Sequence, residues 1–97
     1  MKEQFYVYIV SSLHNRVLYI GMTSNLPKRI WEHKNKVADG FTKKYNVDRL
    51  VYYEVFEDAE NAAKRERNMK DWNRDWKIAR IEKENPDWDD LFAEICL

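Results

Sequence analysis

Two runs of β-branched and aromatic residues stand six residues apart near the start of the chain: Phe5-Tyr6-Val7-Tyr8-Ile9-Val10 and Val17-Leu18-Tyr19-Ile20. That composition favours extended backbone. A connection as short as Ser11 to Arg16 can join two neighbouring strands only as an antiparallel hairpin. Alternation then sorts the first run, with Tyr6, Tyr8 and Val10 on one face and Phe5, Val7 and Ile9 on the other. Gly21 follows the second run and is expected to stop it. The hairpin constrains everything downstream, because later segments must pack on it or pair with it.

The next segment reads as a helix. Ser24 or Asn25 can cap it, Pro27 suits its first turn, and Leu26, Ile30, His33 and Val37 recur at helical spacing. Lys36 to Asn46 reads as a polar, basic loop around Gly40, and Arg49–Phe56 as a third strand. Asp58 can cap a helix over Ala59–Trp72, and Asn73 one over Arg74–Glu84, which Asn85-Pro86 ends. From about residue 86 to 97 an acidic C-terminal helix is expected, since Trp88, Leu91, Phe92 and Ile95 fall at i, i+3, i+4 and i+7. The order β-β-α-β-α-α-α describes an α+β fold, a small three-stranded antiparallel-rich sheet flanked by helices, with residues 1–97 forming a single domain.

Several chemistries are excluded. Cys96 is the sole cysteine, so neither an intramolecular disulfide nor a cysteine-rich zinc site can form. Two glycines, Gly21 and Gly40, cannot build a phosphate-cradling loop. The longest apolar run is far too short to span a bilayer, no signal-peptide pattern precedes it, and a cytoplasmic protein is expected. The 17 basic and 17 acidic residues cancel, but unevenly, since residues 82–97 hold six acids and one lysine. The remainder is a basic body.

Titratable residues sit on helix faces that should be buried. Ala59, Ala62, Ala63 and Met69 recur at helical spacing, and Glu66 falls in the middle of their stripe, while Lys64, Arg65 and Arg67 lie elsewhere and are free to be solvated. A carboxylate there needs a partner: a neighbouring arginine, which spacing alone favours, or a metal ion. Arg29 and His33, one turn apart, lie on or beside the buried face of the first helix. They read either as a boundary arginine and a satisfied histidine, or as an anion site in which guanidinium matches phosphate oxygens and imidazole moves a proton. Tyr8 and Tyr19, on adjacent strands, complete the set as phenols able to donate to a phosphate or take a proton. Tyr52 and Tyr53 read as ordinary strand aromatics.

Together these residues resemble the GIY-YIG nuclease family. Tyr19-Ile20-Gly21 is the second half-motif in full, and Tyr6-Val7-Tyr8 is a degenerate form of the first. Leu26-Pro27-Lys28-Arg29 and Glu32-His33-Lys34 are similar to the family's arginine- and histidine-bearing helix. Glu66, within Ala62-Ala63-Lys64-Arg65-Glu66, matches its metal-binding glutamate. The resemblance runs over a motif core of about residues 5–88 and extends to the small stand-alone bacterial UPF0213 proteins, which also carry stretches like Gly40–Tyr45 and Leu50–Glu54. The ordered set turns the reading of Glu66 from salt bridge to metal ligand.

The resemblance implies an endonuclease that hydrolyses phosphodiester bonds in nucleic acid, DNA rather than RNA, with one divalent metal, Mg²⁺ or Mn²⁺, on Glu66. Arg29 would neutralise charge on the phosphate, Tyr8 would act as base with His33 assisting or replacing it, and Tyr19 would orient water or phosphate. Lys28, Lys34, Lys36, Lys43 and Lys44 are expected to follow the nucleic-acid backbone, with Tyr45 or Phe41 stacking on a base. No targeting unit accompanies these residues, so a protein partner is expected to choose the substrate. The rival reading is a non-catalytic module that binds nucleic acid or protein on the same fold. A third reading, an interaction protein working through Trp88, Leu91, Phe92 and Ile95, is weaker than packing of that stripe against the fold.

Overall fold

A computed structural model describes residues 3–14, 17–37 and 40–96. Asn15 and Arg16 of the expected connection, and residues 38–39 of the expected basic loop, lie outside the described residues. Strands β1 (Phe5–Ser11), β2 (Leu18–Thr23) and β3 (Arg49–Phe56) form one antiparallel sheet in the order β2-β1-β3. Gly21 does not end β2, which runs on to Thr23 with Gly21 paired to Tyr8. A bulge between Ile9 and Val10 sets Ile9 opposite Tyr52 and Val10 opposite Leu50. It lets Val51 and Tyr52 both join the same core while Leu50 joins the other.

Both faces are covered. On one, α3 (Ala59–Asp71) and α4 (Arg74–Glu84) bury Ala62, Met69 and Ile81 against Val7, Ile9, Ile20 and Val51. On the other, α1 (Leu26–Lys34) buries Leu26 and Ile30 with Tyr8, Val10 and Leu50. Side-chain oxygens of Asn25, Asp58 and Asn73 accept the backbone N–H groups that open α1, α3 and α4. The central strand is therefore sealed on both sides, and only edges β2 and β3 remain open to side-chain chemistry.

Three expectations need correction. The segment expected to be a basic loop contains α2 (Gly40–Tyr45). The preceding helix stops at Lys34, with Lys36 in the left-handed region at φ 61°, so Val37 is exposed rather than on the buried stripe. The acidic helix expected over 86–97 is only α5 (Phe92–Ile95). Before it the chain is irregular, with Trp88 at φ 55° and the turn held by Asn85 and Asp90. Trp88 packs into the α3/α4 core, whereas Leu91, Phe92 and Ile95 pack on the α1 face. Residues at helical spacing thus serve two sides of the sheet, and they form part of both cores rather than an interaction surface.

Arg65, expected to be solvated, is instead tied down. Its Nε and Nη2 donate to Glu54 Oε1 and Oε2 at 2.8 and 2.9 Å, and Tyr52 Oη donates to Glu54 Oε2 at 2.5 Å. Tyr52 is therefore no ordinary strand aromatic. Burial works against the Glu54 charge, but the bonds from Arg65 and Tyr52 outweigh it and hold the carboxyl below its ordinary value. A depressed folded-state value adds stability above that ordinary value, 4.5, and the addition fades as pH falls through the folded value. Urea unfolding of wild type and Glu54→Gln should show the largest gap at neutral pH, shrinking on acidification.

Candidate active site

The site is built around the hydroxyl of Tyr8, which has no exposed surface. Its β2 partner is Gly21, and a Cβ added there would sit 2.4 Å from the hydroxyl and 2.6 Å from Cζ. Gly21 does not have positive φ. The glycine is needed for space, so that the Tyr8 ring can lie across β2.

From above, α1 supplies two groups one turn apart. Arg29 Nε donates to Tyr8 Oη at 3.2 Å, and His33 Nε2 stands 2.9 Å from the same oxygen. His33 is buried, with Nδ1 3.1 Å from Thr42 Oγ1 on α2. Arginine can only donate, so the phenol oxygen accepts from Arg29, while the direction of the Tyr8–His33 bond is set by the imidazole tautomer. An accepting Nε2 puts the ring proton on Nδ1, donated to Thr42. The four side chains form one hydrogen-bonded row, Arg29–Tyr8–His33–Thr42.

Arg29 also binds Glu32 through Nη1 at 3.3 Å and keeps 29% of its side chain exposed. Partial burial opposes its charge, but the bonds to Tyr8 and Glu32 prevail and raise its pKa above the ordinary value. The site therefore holds a permanent cation.

Tyr19 meets His33 ring to ring, centroids 5.7 Å apart, as Tyr8 does at 5.6 Å. Four of the five expected catalytic residues are thus linked, Arg29 through Tyr8 and Tyr19 through His33. Glu66 is carried by α3. Its helix packs on the opposite face, where Ala62 and Met69 are buried and Ala59 is exposed. Glu66 is accordingly at the margin of the buried stripe, 25% exposed, and its partner is Lys70 at 3.3 Å rather than an arginine. Lys70 lines an open groove of about 460 Å³ with Leu18, Tyr19, Ile20, Phe41 and Lys77. Because β2 is an edge strand, this groove joins the two faces: Tyr19 forms part of its wall, and Glu66 is one ion pair away.

No cluster of three or more His, Cys, Asp or Glu side chains suited to a metal is found among the described residues. A single partly open carboxylate still fits a hard divalent ion that keeps most of its waters, which needs no such cluster.

The expected backbone-following lysines divide. Lys34 bonds Asp90 at 2.5 Å and Lys36 bonds Asp48 at 3.5 Å, so acids already hold both. Lys28 and Lys43 are exposed, and Lys44 Nζ lies 5.4 Å over the ring of Tyr45. The sequence reading missed Thr42, Lys70 and Lys77. Lys70 was findable, since it stands one turn after Glu66. Thr42 carried no local signal.

Two substitutions test this packing. Gly21→Ala should cost about 1–3 kcal/mol in urea unfolding, because the buried Tyr8 ring cannot swing away. Thr42→Val keeps the shape but removes the hydroxyl that buried His33 Nδ1 bonds at 3.1 Å, and should cost about 1–3 kcal/mol.

Comparisons with known proteins bear on the family and the fold. A family model described as the GIY-YIG catalytic domain matches residues 4–79. A UPF0213 protein of Clostridium perfringens is 35% identical over 92 residues, covering 95% of this chain and 98% of that one. Another, from Staphylococcus haemolyticus, is 37% identical over 78 residues, covering 80% and 94%. The solution NMR structure of a UPF0213 protein from Bacillus halodurans superposes with a TM-score of 0.57 at 24% identity, over 90% of this chain and 92% of that one, so the fold is shared. No helix among the described residues is long and apolar enough to cross a membrane. With the half-motif Tyr19-Ile20-Gly21 wrapped around Tyr8, and the family match spanning most of its length, the chain belongs to the GIY-YIG catalytic domain family, and to its UPF0213 members.

Proposed function

We propose that this chain is a nuclease that hydrolyses phosphodiester bonds in nucleic acid, with Arg29, Tyr8, His33, Tyr19 and Glu66 as its working residues. The observation that carries the reading is the Tyr8 hydroxyl, fixed between a permanent cation and an imidazole nitrogen. Hydrolysis must remove a proton from water while negative charge grows on the phosphate. Arg29 supplies the fixed charge. Tyr8 takes a proton as its own passes to His33 Nε2, and Thr42 holds the imidazole in the accepting tautomer. Tyr8 and His33 are buried, so a local opening must precede this transfer. Tyr19, on the groove wall, orients the phosphate or the water.

Glu66 would hold a divalent ion, Mg²⁺ or Mn²⁺, which when bound would polarise the phosphate and stabilise the leaving oxygen. Lys70 must release Glu66 for that. The choice of DNA over RNA follows the family resemblance and not any contact within the chain. Lys28 and Lys43 are the exposed cations nearest the site in sequence and would follow the backbone, and a protein partner would choose the target.

The burial of Tyr8 and His33 and the Lys70–Glu66 pair favour one rival, a module that binds nucleic acid without cutting it. Cleavage of labelled single-stranded, duplex and branched DNA, with matched RNA strands, separates the two in Mg²⁺ or Mn²⁺. Glu66→Gln should abolish cleavage and leave metal-free binding unchanged or slightly tighter. Arg29→Ala should lose affinity and slow cleavage by roughly a hundred- to a thousandfold, the scale of one lost charge-stabilising group. If wild type cuts nothing and Glu66→Gln behaves identically, the binding module is the function.

A further inference from the structure

One row of aromatic rings leaves the Tyr8 network and runs to the surface. Tyr19 touches His33, Phe41 lies 6.0 Å from Tyr19, and Tyr45 lies 5.1 Å from Phe41, centroid to centroid. The outer rings are the exposed ones: Phe41 is 46% and Tyr45 44% exposed, while Tyr19 is partly and His33 fully buried. Phe41 and Tyr45 sit on α2, whose buried residue is Thr42, the hydrogen-bond partner of His33 Nδ1. A six-residue helix fixed by one buried threonine thus holds two large rings in solvent. Its neighbours are cationic, with Lys44 over Tyr45 and Lys70 and Lys77 lining the groove shared by Tyr19 and Phe41. The charged residues lining that groove are both lysines.

We propose that this row is a seat for single-stranded nucleic acid, with unpaired bases stacking on Phe41 and Tyr45 and the backbone following Lys44, Lys70 and Lys77 toward Tyr19. The inference rests on the nuclease reading only for the partner being a nucleic acid. Strandedness comes from the rings. Exposed π-faces reward bases that are already unstacked, whereas a duplex keeps its bases inside and would have to flip one out to use them. The adjacent cations supply what an apolar protein partner would not need, namely neutralisation of phosphates. Lys70 has a double part, since a phosphate drawn to it loosens its hold on Glu66.

The test is metal-free binding, so that it does not depend on cleavage. Fluorescence anisotropy in EDTA compares a fluorescein-labelled mixed-sequence DNA oligonucleotide with the same oligonucleotide in a blunt duplex. Wild type should bind the single strand at least about fivefold more tightly, and Phe41→Leu and Tyr45→Leu should each remove about fivefold or more of that affinity while changing duplex binding little. Lys77→Gln should lower the salt dependence of single-strand binding. Photocrosslinking of 5-iododeoxyuridine oligonucleotides to wild type should map to Phe41 or Tyr45, which needs no variant to fold.

Equal affinity for duplex and single strand would overturn the proposal. So would leucine variants that bind as wild type does but melt earlier, which would make the rings packing alone. A concentration-dependent dimer displaced by neither oligonucleotide would assign the row to a second copy of the chain. Single-strand preference without any cleavage would leave this inference standing and sink the nuclease reading. Cleavage of duplex alone, with no single-strand preference, would do the reverse.

Discussion

A tyrosine in the middle strand of a sheet can bury its ring at little cost, but its hydroxyl must find partners or destabilise the fold. The rest of the site follows from how Tyr8 meets that demand. Its ring extends across β2, which demands a residue without a side chain at Gly21. Its oxygen needs a donor and its proton an acceptor, which fixes the faces of α1 that carry Arg29 and His33. His33 then needs a partner for its second nitrogen, which recruits Thr42 and pins α2. A demand that begins as stability ends as a cation, a phenol and an imidazole in fixed order.

The sheet's arrangement explains why the fifth residue stands apart. Tyr8 belongs to the central strand and its face is closed by α1, while Glu66 belongs to the helix layer on the other face. The two layers can share solvent only around an edge, and β2 is that edge. Tyr19 and Lys70, from opposite layers, line one groove there. A substrate lying along this edge would meet chemistry from both layers, which no ligand held against one face could do.

Much of this was legible in the sequence because it is written locally. The strands have β-branched and aromatic runs, and Asn25, Asp58 and Asn73 are capping residues directly before helical patterns. What was illegible is fixed by distant partners. Phe41 and Tyr45 stand at i, i+4 but face solvent, so no buried stripe marks Gly40–Tyr45, and α2 is held instead by Thr42 meeting a histidine nine residues earlier. The C-terminal segment misled in the opposite way, since its residues do repeat at helical spacing. The side chains of Asn85 and Asp90 bond backbone from Val51, Leu50 and their own turn, and Trp88 is drawn to the far core. Arg65 looked solvated because its partner Glu54 comes from β3. Periodicity reports burial, and it is silent about which neighbour does the burying.

The central claim is that Tyr8, its oxygen accepting from Arg29, gives its own proton to His33. The most direct measurement is the protonation of the two His33 ring nitrogens by long-range proton–nitrogen correlation NMR at neutral pH. The account predicts a proton on Nδ1 and a bare, accepting Nε2, with the Nε2 resonance shifting in Tyr8→Phe. A proton on Nε2, or an imidazole indifferent to the loss of the Tyr8 hydroxyl, would contradict it.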